Sequence, residues 1–114
     1  MIKVITINEL KNITNNKNNL LGISDTCIDI ESIINTKSNY CKLLSKIDKN
    51  RNIYIFCLLT HLDKNFFIEL TDEYTLADHR FPGVQTDRPC KTIFIHSNLY
   101  DVNDNMNKLA EALK

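Results

Sequence analysis

The chain lacks tryptophan and holds only two glycines and two prolines among 114 residues. With Gly22 and Gly83 far apart, there is no G-x-G-x-x-G and no P-loop, the backbone arrangements that let amides approach a phosphate. Nucleotide-dependent enzymes are therefore not expected, and no H-E-x-x-H marks a zinc hydrolase. The four cysteines, Cys27, Cys41, Cys57 and Cys90, include no C-x-x-C pair. That spacing fits neither a zinc ribbon nor a dithiol redox site, and it reads as three core thiols and one loop thiol, Cys90, in a reducing compartment. No metal and no cofactor is expected. Charge of one sign in excess is also missing: Lys plus Arg and Asp plus Glu each total 14. A neutral domain has no overall field to draw it onto nucleic acid or an anionic membrane. No apolar run reaches the length of a membrane span. "MIKVITINELKN" has no long apolar stretch before a small-residue cleavage site, so a cytoplasmic location is expected.

What is present is ordinary globular composition, 43% hydrophobic and 25% charged, on a chain the size of one domain spanning 1–114. Asparagine, isoleucine and lysine recur throughout, as in "NITNNKNNLLGI", a bias that AT-rich codons produce without any chemistry behind it.

Periodicity divides the chain. "IKVITI" at 2–7 predicts a strand, followed by a short helix capped by Asn8 with Leu10 and Ile13 inward, which the asparagine run at 15–19 ends. From Asp29 the residues Ile30, Ile33, Ile34, Tyr40, Cys41, Leu44 and Ile47 recur at helical steps, predicting a long amphipathic core helix. "NIYIFCLLTHL" at 52–62 predicts a buried central strand, and "FFIEL" at 66–70 a second strand joined to it as a hairpin through "LDKN". "TIFIHSNLY" at 92–100 predicts a strand with Ile93 and Ile95 on one face and Phe94 and His96 on the other. A last helix is expected from Asp101 with Val102, Met106, Leu109, Ala110 and Leu113 on one side. The fold class is α+β: a single mixed sheet of about four strands, with two to three helices packed mainly on one face.

Residues 71–91 form a connection of a length that is uncommon in compact domains unless it is functional or mobile. Its first half is acidic and its second half basic, and Pro82 and Pro89 restrict its shape. Two kinds of chemistry are conceivable there. Cys90 as nucleophile, with His79 or His96 as base and Asp78 or Asp87 as orienter, supplies the residue types of a thiol enzyme, without any local signature. His79 and His96 with Arg80 supply those of a small hydrolase or nuclease. Binding is the simpler reading. Asp72, Glu73, Asp78, His79, Arg80, Asp87 and Arg88 are then contacts with a protein partner, and no catalytic residue is needed. The basic stretch Lys37, Lys42, Lys46, Lys49 and Arg51 reads as a solvated helix face.

In size, composition and mixed α/β pattern over its whole length, the chain resembles the immunity proteins of bacterial contact-dependent growth inhibition systems. The resemblance implies a small cytoplasmic protein that occludes the active site of one cognate toxin domain. Its neutral charge departs from the acidic balance common among inhibitors of basic nucleases. A viral or phage accessory protein that blocks a host factor would have the same overall character.

Overall fold

The computed structural model describes residues 1–23, 30, 52–76 and 89–114. The predicted helix from Asp29 lies outside the described residues except for Ile30, which is buried in the main core. Strand β1 (Ile2–Ile5) leads directly into helix α1 (Ile7–Asn15). The expected cap at Asn8 is wrong. Thr6 caps the helix and Glu9 returns the bond, a T-x-x-E capping box that satisfies two otherwise orphaned amides.

Helix α1 ends at Asn15 as predicted, but the asparagine run is more than a breaker. Asn19 is buried; its Nδ2 donates to the Ile13 carbonyl at 2.9 Å, and its Oδ1 accepts from Asn52 at 3.4 Å. It opens a strand the sequence did not suggest, β2 (Asn19–Ile23). β2 runs parallel to β3 (Asn52–His61), with Asn19 opposite Asn52 and Ile23 opposite Phe56.

The hairpin expected between 52–62 and 66–70 does not exist. β4 (Phe67–Thr71) and β3 are separated by β6 (Pro89–Asn98), which pairs parallel with β3 and antiparallel with β4. The resulting order is β1-β4-β6-β3-β2. β6 is apolar on both faces in its middle, as a central strand must be. The long connection is also shorter than predicted. Within it, β5 (Thr75–Leu76) pairs with Pro89 and Cys90, so Cys90 is a buried strand residue, not a loop thiol. Pro89 stands at the first position of its strand, where a missing amide costs least.

Cross-strand partners share a face, so the register sorts every side chain. One face carries Ile5, Leu21, Ile23, Tyr54, Phe56, Ile68, Leu70, Ile93 and Ile95, packed with Leu10 of α1 and with Met106, Leu109 and Leu113 of α2 (Val102–Leu113). Both described helices therefore cover the same side of one mixed sheet, an α+β fold. Asp101 precedes α2 as predicted, but its side chain makes no capping bond. Asn105 in the first turns reaches back to buried Ser97 at 2.7 Å and ties the helix to β6. Among the described residues, no helix is long and apolar enough to cross a membrane.

Tyr74 follows β4, with the Lys91 ammonium 4.8 Å from its ring centre. Burial, followed by the Tyr54 phenol beside it, pushes its pKa up to about 12. Because the folded value is the higher one, this contribution to stability is complete below the unfolded midpoint near 10 and is lost as pH rises toward 12. An alkaline absorbance titration is expected to show a phenol ionising near 12 in the wild type that is lost in Tyr74→Phe. A wild type with no such late phenol contradicts the packing described.

Candidate functional site

The sheet face away from the two helices carries Val4, Phe67, Glu69, Phe94, His96, Cys57, Leu59 and His61. Phe67 lies directly opposite His96, whereas Glu69 faces Phe94 and His61 faces Asn98. Glu69 and His61 are thus diagonal neighbours of His96 from opposite sides, within reach of long side chains. They meet there. His61 Nε2 lies 2.8 Å from His96 Nδ1, and Glu69 Oε1 lies 2.6 Å from His96 Nε2.

The two imidazoles have centroids 5.1 Å apart and planes within 13°. With the nitrogens only 2.8 Å apart at that separation, they must lie near the line joining the ring centres. The rings are therefore side by side and nearly coplanar, an in-line hydrogen bond and not a face stack. Phe67 supplies the face stack on His96, at 4.2 Å and 4°.

His96 is 6% exposed, and the Glu69 side chain 27%. Although Glu69 is close, His96 Nε2 makes no aligned hydrogen bond, so the carboxylate approaches it off the N–H axis. The short distance identifies the partner, and the angle denies the contact full hydrogen-bond strength. A carboxylate only accepts, which places the proton of neutral His96 on Nε2 and leaves Nδ1 to accept from His61 Nε2–H. The chain of groups runs from half-buried His61 through buried His96 to Glu69. The nitrogens face one another instead of converging on a point, and among the described residues no group of three side chains is placed to hold a metal ion.

Glu69→Ala leaves His96 Nε2 buried with no polar neighbour and is expected to cost about 1–3 kcal/mol, while Glu69→Gln costs less because an amide oxygen still accepts. Urea unfolding of the two variants measures this. Equal loss in both means that the contact contributes nothing through its oxygen.

Just beyond the histidines, two turns are tied together at the carboxyl ends of β3 and β6. Leu99 N–H donates to the His61 carbonyl at 2.6 Å. The Asn98 side chain joins both turns, its Nδ2 donating to the Leu62 carbonyl at 3.0 Å and its Oδ1 accepting from Tyr100 N–H at 2.9 Å. Leu62, Leu99 and Tyr100 are thereby gathered on one rim, 68%, 48% and 82% exposed.

Of the residues expected to bind a partner, Asp72 and Glu73 lie on the exposed bend after β4. Asp78, His79, Arg80, Asp87 and Arg88 fall outside the described residues. The described part of that connection joins the sheet at the amino end of β6, whereas His96 lies in the carboxyl half of the strand. The partner that the described residues bring to His96 is His61, not a loop group. Cys90 shares the face of His96 but is 2% exposed and six positions away, about 20 Å along a strand. The described geometry does not bring those two together as nucleophile and base.

The sequence reading missed Glu69 and His61. Both are polar residues on a largely apolar strand face, which was the available signal, but the assumed hairpin put the wrong strands side by side. Neither family models, curated proteins nor solved structures provide a match to this chain.

Proposed function

We propose that this chain is a small cytoplasmic protein-binding domain of the immunity type, which binds a cognate toxin domain and occludes its active site. The observation that carries this reading is the rim of Leu62, Leu99 and Tyr100. Three large apolar side chains exposed together are uncommon on a free surface, and a protruding tyrosine is a favoured anchor of protein interfaces. The carboxyl ends of parallel strands are also where open sheets tend to recruit ligands. Exposed Asp63 and Asp101 flank the rim and suit a cationic cleft on the partner. Asp72, Glu73, Asp78, His79, Arg80, Asp87 and Arg88 remain a second set of proposed contacts.

The test is to look for a toxin gene directly upstream of the gene for this chain and, where one is found, to measure growth protection by co-expression with its toxin domain, followed by binding of the purified pair. Leu62→Ser combined with Tyr100→Ala is expected to lose protection. Charge reversal of Asp72 and Glu73 separates the second contact set from the first. Full protection by the rim variant moves the interface to the loop, and no protection by the wild type removes the immunity reading.

A second reading is favoured by Glu69, His96 and His61 in line. It makes the chain a small hydrolase or nuclease in which His61, not His79, works with His96. That reading requires a turnover measurable without any protein partner and lost in both His61→Ala and His96→Ala.

A further inference from the structure

The histidine pair and the rim are joined by backbone, and we propose that together they form an acid-operated switch: double protonation of His61 and His96 separates the rings and loosens the turns that present Leu62, Leu99 and Tyr100. Its consequence for partner binding rests on the protein-binding reading above, but the switch itself belongs to the free chain.

With neither ring charged, the pair holds one hydrogen bond, His61 Nε2–H to His96 Nδ1. A first proton is accommodated. It enters at the free nitrogen of half-buried His61, and the positive charge is balanced through the pair by Glu69. A second proton is not accommodated. Both facing nitrogens would then carry hydrogen at 2.8 Å, replacing the bond with two opposed N–H groups and two like charges. One ring has to leave. His96 is held in the middle of β6 by Phe67 across its face and is 6% exposed. His61 is the last residue of β3 and is only partly buried, so His61 moves.

That movement reaches the rim through two bonds. The His61 carbonyl holds Leu99 N–H, and the next carbonyl, that of Leu62, holds the Asn98 side chain. Asn98 in turn orders Tyr100. Among the described residues, the titratable groups around the pair are few. β4 contributes Glu69 and β3 contributes Cys57 on this face, β1 contributes only apolar Ile2 and Val4, and exposed Asp63 and Lys64 lie in the following turn. Glu69 is therefore the only acidic side chain on this described sheet face that is available to balance the imidazolium, and one carboxylate balances one charge, not two.

The experiment is a pH titration of the free protein by NMR, following the ring protons of His61 and His96 and the backbone amides of Leu99, Tyr100, Ile93 and Ile95. Both rings are expected to report the same two steps, because coupled sites share macroscopic titrations. Leu99 and Tyr100 are expected to move with the second, more acidic step, with Leu99 exchanging roughly tenfold faster or more. Ile93 and Ile95 keep their slow amide exchange, which separates the switch from global acid unfolding. In His61→Gln, which keeps a donor but cannot be protonated, His96 titrates in one step and Leu99 no longer responds. His61→Asn serves if the glutamine variant does not fold. Independent single-step titration of the two rings overturns the switch. So does a Leu99 amide that ignores the second step, or one that still responds in the variant. None of these outcomes depends on a partner, so a failed protection assay and a failed switch are distinguishable.

Discussion

Phe56→Ala is expected to lower the unfolding free energy by about 3–5 kcal/mol, a large part of the roughly 5–15 kcal/mol that holds a domain folded. Phe56 is fully buried at 0% exposure, near the middle of β3. It lies between Ile23 of β2 and Ile93 of β6, on the face covered by α1 and α2. Strands on both sides and helices above leave little freedom to collapse into the space vacated, so the cavity term adds to the lost transfer energy. Urea unfolding followed by circular dichroism measures the loss as a lower midpoint with an unchanged slope. A loss under about 1 kcal/mol would mean that Phe56 is not packed as described.

If the proposed toxin partner is bound through the rim, Leu62→Ser combined with Tyr100→Ala is expected to weaken that complex by about 100-fold or more while leaving thermal melting unchanged. Anchor residues at an interface centre each contribute about 2 kcal/mol or more when truncated, and most of that loss appears as faster dissociation. Stability is spared because these side chains are 68% and 82% exposed in the free protein and bury little on folding. Asn98→Ala provides a complementary readout: it keeps both apolar side chains but removes the two bonds that hold their turns. Its affinity is expected to fall between the wild type and the double variant. Binding kinetics by surface plasmon resonance distinguish the three proteins. An unchanged dissociation rate in the double variant places the contact elsewhere, with Asp72 and Glu73 the next residues to reverse.

Local signals carried much of the fold. Continuous apolar character at 52–62 identified the central strand, and alternation at 92–100 correctly placed Ile93 and Ile95 opposite Phe94 and His96. The helical repeat of Val102, Met106, Leu109 and Leu113 likewise matched the buried side of α2. These succeeded because period and burial are set by neighbours a few residues away. The T-x-x-E cap at Thr6 is equally local, but Asn8, two residues on, is as good a capping residue by type, and composition alone does not separate them.

Partnership between strands was a different matter. By itself the sequence determined an α+β fold, its principal strands, the closing helix and the inward-facing residues of β6 and α2, since those follow from side-chain size and spacing. Only the tertiary structure decided that β6 inserts between β3 and β4, that the asparagine-rich run feeds a parallel strand, and that Glu69, His96 and His61 meet. A turn such as "LDKN" suits a hairpin by local chemistry, but β4 pairs instead with a strand about twenty residues further along. The physical reason is that strand pairing is a competition among backbone edges distant in sequence, won by whichever arrangement buries the most apolar surface. Side chains that meet diagonally across three strands inherit that choice, so their contact is not encoded in any short stretch of the chain.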